Sequence, residues 1–332
     1  MADLLASGQR IESVRWSYVA AVLAAFAGLA PGAVAREAGG TPVALVTAES
    51  ENLLLAVDPR SGRVLRRVAL PADPENVAAA PSGPAVVVSA HGAAVSILAW
   101  RSLRRLATLR GFRNPHLAAI SPDGEWAYVS DDGSGLLSAI ELARRQVVAQ
   151  VRVGPGAHHL AFSPDGRRLW VALGERARTI VVVDTSRPAR PRVVARFDPG
   201  FAAHDLVFAP DGRRVWVSSD TDADVHVLAA GTRRELFRVP VGPPPQHVAF
   251  GARGFAYATS GYGSRIVEAT RAGRVVRSAE TPYGSFNLAT SGGLVVVSSL
   301  LRGTVTELDD RLRLIHTSEV APAARDVALS VW

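Results

Sequence analysis

Cysteine is absent from all 332 residues. That excludes disulfides, a thiol nucleophile, thiolate-held zinc or iron–sulfur clusters, covalent haem attachment and lipidation at an N-terminal Cys. Any metal must rest on His, Asp, Glu and carbonyl oxygens. Lysine is absent too, so all 37 basic residues are Arg. Aromatics make up only 6%, whereas Gly (29) and Pro (21) are plentiful, a balance that favours short strands and tight turns over a helical bundle. What is present suffices for a large core: 48% of residues are hydrophobic and 20% charged. The net charge of +7 would suit a polyanion, yet the Arg residues fall in pairs spread along the chain, as at Arg104-Arg105, Arg167-Arg168 and Arg213-Arg214. Such spacing indicates solvated edges, and no specific nucleic-acid partner is expected.

The first 35 residues read as an export segment. An uncharged run from Trp16 to Ala30 follows Arg10 and Arg15 and precedes Ala33-Val34-Ala35, a small-x-small cleavage pattern. The run is short for a bilayer span, which needs about 20 apolar residues. The expectation is a cleaved signal peptide (1–35), an exported protein, periplasmic or extracellular, with no transmembrane anchor after cleavage, and one monomeric domain over 36–332.

The remainder is a repeat. An apolar strand, a Pro-Asp-Gly turn and a second apolar strand ending in small polar residues recur at 116–130, 159–173 and 205–219. Degenerate copies lie at 76–90, 247–260 and 287–299, with a last single strand from Asp326 to Trp332. In the turn, Pro presets φ, Asp accepts from the backbone and Gly takes the positive φ that closes the hairpin. Third and fourth strands follow, for example Ile180 to Asp184 and Arg192 to Phe197. The first residues of the leading strands are Asn76, His116, His159, Asp205, His247, Asn287 and Asp326, a spacing close to that of a four-stranded propeller blade. The segment from Val43 to Leu70 supplies three strands without a leader, and Asp326 to Trp332 supplies a leader without successors. Joined, they close a ring of seven blades and leave no open edge. The predicted fold is all-β, a seven-bladed β-propeller whose terminal strands share one blade.

The segments 114–130 (NPHLAAISPDGEWAYVS) and 158–171 (HHLAFSPDGRRLWV) resemble the YVTN-type β-propeller repeat. The resemblance covers the chain beyond the export segment and implies the propeller fold. Relatives it brings to mind are exported propellers, cytochrome d1-like haem propellers, and lactonase or lyase propellers. Function does not follow from it, because this architecture carries unrelated activities.

In a propeller the leading strands line the central channel, so the pairs that open them face its mouth. Those pairs are Glu75-Asn76, Pro115-His116, His158-His159, His204-Asp205, Gln246-His247, Phe286-Asn287 and Arg325-Asp326, which hold five of the eight His. Imidazoles and carboxylates converging there could ligate a metal ion or a haem-like ligand, or act as general acid and base. The same positions could instead bond the backbone of the next blade and hold the ring together. His158, His159, His204 and Asp205 are the metal candidates, because His replaces the pattern's Pro at 158 and 204. The expected occupant is a small molecule, a metal ion or a protein partner. The loops between second and third strands add Asp131-Asp132, Glu175-Arg176, Asp220-Thr221-Asp222-Ala223-Asp224 and Tyr262; the Asp220 run lacks the Gly and Glu of an EF-hand and reads as a solvated acidic turn. His91, His226 and His316 read as ordinary strand or loop residues, and Trp126, Trp170 and Trp216 as equivalent core positions. No Gly-x-Ser-x-Gly, His-Glu-x-x-His or phosphate-cradling loop occurs.

Overall fold

A computed structural model describes residues 40–174 and 178–332. The expected export segment and Glu175-Arg176 lie outside the described residues. All regular structure among the described residues is β, in 28 strands and seven four-stranded antiparallel sheets. Blade 1 combines β1 (Pro42–Ala48), β2 (Leu53–Val57) and β3 (Val64–Ala69) with the last strand of the chain. Blade 2 is β4 (Pro74–Ala79), β5 (Ala85–Ser89), β6 (Ala94–Leu98) and β7 (Arg105–Arg110). Blade 3 is β8 (Pro115–Ile120), β9 (Trp126–Asp131), β10 (Leu136–Glu141) and β11 (Gln146–Arg152). Blade 4 is β12 (Leu160–Phe162), β13 (Arg168–Ala172), β14 (Ile180–Asp184) and β15 (Arg192–Phe197). Blade 5 is β16 (Ala203–Phe208), β17 (Arg214–Ser219), β18 (Asp224–Ala229) and β19 (Glu235–Pro240). Blade 6 is β20 (Val248–Phe250), β21 (Ala256–Ser260), β22 (Arg265–Ala269) and β23 (Val275–Glu280). Blade 7 is β24 (Ser285–Ser291), β25 (Leu294–Ser299), β26 (Thr304–Asp309) and β27 (Leu314–Glu319). The closing strand, β28 (Ala324–Val331), pairs antiparallel with β1, Leu45 opposite Ala328.

The leading strands pack in a ring: β4, β8, β12, β16, β20, β24 and β28 each meet their two neighbours, and β28 meets β4. The turns behave as their chemistry requires, with Gly124, Gly166 and Gly212 at φ of 74°, 68° and 67°. The middle strands of each blade are buried on both faces, which explains their unbroken Val, Ile and Leu runs.

Between blades, one ring motif repeats. Trp170 meets Phe208 edge-on at 5.7 Å and Trp216 meets Phe250 at 5.5 Å, each large ring capping the leading strand of the next blade. In blade 3 that place is held by Tyr128, edge-on to Phe162 at 5.4 Å. Trp126 is therefore not the equivalent of Trp170 and Trp216. It lies two residues earlier in its strand and is only half-buried.

Candidate functional site

The leading strands are irregular where the candidate residues stand. Register shifts fall between Pro74 and Asn76, Pro115 and Ala118, Ala203 and Leu206, and Ser285 and Asn287. In blades 4 and 6 ladder pairing starts only at Leu160 and Val248, just after His159 and His247. Bulges release side chains from the in-and-out alternation of a strand and re-aim them. The small polar residues ending each second strand mend the gap: Leu117 N donates to Ser130 Oγ (3.2 Å), Asp205 N to Ser218 Oγ (2.9 Å), His247 N to Thr259 Oγ1 (3.2 Å) and Asp326 N to Thr47 Oγ1 (3.0 Å).

Of the re-aimed residues, Asn76, Asp205, Asn287 and Asp326 bond across to the next blade. Asn76 Oδ1 accepts from Ala118 N (2.8 Å), Asp205 Oδ2 from Val248 N (3.1 Å), and Asp326 Oδ2 from Val77 N (2.8 Å) and Asn76 Nδ2 (2.7 Å). Asn287 Nδ2 donates to Arg325 O (2.9 Å). These four hold the ring together.

The imidazoles do something else. His116, His158, His159, His204 and His247 gather on one side of the mouth, with His159 at the centre, its ring centroid 4.5 to 5.2 Å from the other four. His116 and His158 stack at 3.6 Å. Every one of the five turns Nδ1 toward a carboxylate. The partners are Glu75 for His116 (2.9 Å), Asp132 for His158 (3.0 Å), Asp205 for His159 (3.2 Å) and His247 (3.5 Å), and Asp220 for His204 (3.3 Å). A carboxylate accepting from Nδ1–H fixes the tautomer and leaves the Nε2 lone pair for a ligand. The Nε2 atoms of His116 and His159 face each other at 3.4 Å. Two triads, His116/His158/His159 and His159/His204/His247, have ring nitrogens within 4.8 Å of one another. The clustered ring nitrogens thus include His116 and His247 beside the expected His158, His159 and His204, while Asp205 stands behind His159 and His247 with both oxygens engaged.

Electrostatics follow from burial. Loss of water holds His116, His159 and His247 well below the usual imidazole range and His204 down to about 3, so all four are neutral at pH 7. Burial pushes Asp205 up to about 7 and Asp326 up to about 6. Buried acids behind neutral imidazoles form a site short of positive charge. Arg325 does not remedy this, because its guanidinium pairs with Glu49 (2.7 Å) and Glu75 (3.3 Å).

The cavity over these rings measures about 640 Å³. Of the fourteen residues in the seven opening pairs, twelve line it, Pro115 and Asp205 being the exceptions. Thr221, Tyr262 and Leu300 line it as well. The anchoring acids Asp132 and Asp220 come from the loops between second and third strands; the Asp220 run is exposed at Thr221 and Ala223, yet Asp220 holds His204 and Asp222 holds buried His226 (2.8 Å). Gly174 is a further contributor: a Cβ there would meet the His158 ring at 3.0 to 3.2 Å.

The family model described as a lactonase, seven-bladed β-propeller, matches residues 110–229. The chain is a β-propeller. The matched part of this propeller carries His116, His158, His159 and His204. No curated protein matches it in sequence. Many solved structures resemble it. A functionally unknown protein from Desulfotomaculum acetoxidans shares 14% identity over 87% of this chain and 99% of its own, with a TM-score of 0.76. A protein from Lactobacillus plantarum shares 15% over 87% and 99%, with a TM-score of 0.73. The hydrazine synthase of Kuenenia stuttgartiensis shares 17% over 76% and 88%, with a TM-score of 0.63. At these identities the likeness is one of fold.

Proposed function

We propose that this propeller binds a transition-metal ion through the imidazoles at its channel mouth. The observation that carries this reading is the common orientation of the five rings, each with Nδ1 within 2.9 to 3.5 Å of a carboxylate oxygen. That is the outer-shell arrangement that orients and strengthens metal-binding His. The 3.4 Å between His116 Nε2 and His159 Nε2 fits the edge of a tetrahedron, since metal–nitrogen bonds of about 2.0–2.1 Å put two ligands about 3.3 Å apart. Two lone pairs at that distance repel unless a proton or a cation lies between them, and burial disfavours the proton. A divalent ion also supplies the positive charge that Asp205 lacks. An all-nitrogen donor set suits zinc, copper or nickel over calcium or magnesium.

The test is a zinc(II) and copper(II) titration against a competing chromophoric chelator. Wild-type protein should bind tightly and stoichiometrically. His159→Ala, which removes the ring common to both triads, should weaken binding at least 100-fold while the control His91→Ala, whose ring is exposed, leaves it unchanged. Equal affinity in all three proteins contradicts the reading.

A second reading rests on the lactonase match, whose span carries four of the five rings. An ion held there would serve as a Lewis acid toward an ester carbonyl. The chain's own part would be to hold that ion with neutral imidazoles and to admit the substrate to a cavity of small-molecule size. Hydrolysis of a simple lactone by the zinc-loaded protein, abolished in His159→Ala, is the expected result; no turnover above the metal-free protein excludes it.

A further inference from the structure

The wall of the mouth beside the imidazoles is aromatic. Tyr262, on the turn between β21 and β22, is 54% exposed, and Tyr283, on the turn before β24, is 45% exposed. Their ring centroids lie 6.0 Å apart, and Tyr262 meets the Phe286 ring at 5.0 Å. Leu301 adds a further exposed apolar side chain (47%). The shelf is built rather than incidental. A Cβ on Gly261 would lie 2.2 Å from Phe286 Cδ1, and one on Gly284 2.5 Å from Leu301 Cβ, so both side chains rest directly on glycine backbone. Tyr262 and Phe286 line the same cavity as the histidines, and His247 comes from the same blade as Tyr262.

Large rings left exposed at the lip of a cavity have apolar faces to offer a ligand. The cavity, at about 640 Å³, is within the size range of small-molecule sites. We propose that the mouth is a two-part site, in which the imidazoles hold a metal ion and the Tyr262–Tyr283–Phe286 shelf stacks the ring of an aromatic ligand whose nitrogen or oxygen donor completes the ion's coordination. This rests on the metal-site reading above.

The probes are imidazole and 4-phenylimidazole, which share a donor and differ by one aromatic ring. Each is titrated into cobalt(II)-loaded protein and followed by the d–d absorption of the ion. The expected result is that 4-phenylimidazole binds about tenfold or more tighter than imidazole. That preference should vanish in Tyr262→Ala, persist in Tyr262→Phe and shrink in Tyr283→Ala, with cobalt affinity unchanged throughout. Equal affinity for the two probes, a preference that survives both Ala variants, or bound cobalt that responds to neither probe overturns the shelf and leaves the metal site standing. A protein that takes up no cobalt overturns the metal-site reading and this one with it.

Discussion

At the residue scale, side chains in equivalent positions do two different jobs, and chemistry decides which. Asn and Asp have short arms with oxygens that accept from a neighbouring N–H, so at 76, 205 and 326 they stitch blades. His is longer and carries two nitrogens, and at 116 and 159 it ties one to an acid and turns the other to its fellow. Asp205 does both, holding Val248 N and the two imidazoles of His159 and His247. Asp205→Asn keeps an acceptor for Val248 but replaces the carboxylate that orients two rings. Metal affinity should fall about 10- to 100-fold, with a thermal midpoint close to wild type by calorimetry. Asp326→Ala should behave oppositely. It strands Val77 N and Asn76 Nδ2 without their acceptor, costing about 1–3 kcal/mol in denaturant unfolding while metal affinity holds. The pH dependence has a definite sign. Surface imidazoles take up protons, and release an ion, below about pH 6.5. Here burial depresses the pKa values of His116, His159, His204 and His247, that of His204 to about 3, so these rings take up protons only at lower pH, whereas Asp205, pushed up to about 7, takes up its proton first. Zinc affinity should therefore begin to fall as the pH drops through about 7 in the wild type and stay level there in Asp205→Asn, with an identical profile in the two proteins as the contrary outcome.

At the element scale, the turns and the ring pairs were unequally legible. The Pro-Asp-Gly turns could be read directly, since φ preferences are local, and Ile180–Asp184 and Arg192–Phe197 appear with the expected bounds. The large core rings were misread by one member. Counting Trp residues picked Trp126, but the inward register two residues on belongs to Tyr128, because alternation and not residue type sets which side chain enters the core. The imidazoles were legible because the repeat fixes where leading strands begin. Of their acids, Glu75 and Asp205 were legible for the same reason and Asp132 and Asp220 were not: Asp132 reaches His158 from 26 residues away, across a blade junction that no local pattern encodes. Trp216, fully buried between Phe237 and Phe250, should be the costliest single ring to remove. Trp216→Ala is expected to lose about 3–5 kcal/mol in chemical denaturation.

At the scale of the whole molecule, closure and site depend on each other. The ring shuts where β28 pairs with β1, and Trp100 Nε1 donates to Val331 O (2.9 Å) to tie the end of that strand to blade 2. Arg325 and Asp326 ride on β28, so the strand that closes the ring also finishes the mouth. Polar contacts run from Glu49 through Arg325 and Glu75 to His116, then through His159 and Asp205 to His247. Deleting residues 324–332 should open the edge of β1 and produce association visible by light scattering, with broadened unfolding. The central claim is that imidazole nitrogens at this mouth hold a metal ion. X-ray absorption of the zinc-loaded protein tests it most directly. The account predicts at least three nitrogen scatterers at about 2.0 Å with the outer-shell pattern of imidazole rings, reduced in His159→Ala; a shell of oxygen alone, unchanged in that variant, would contradict it.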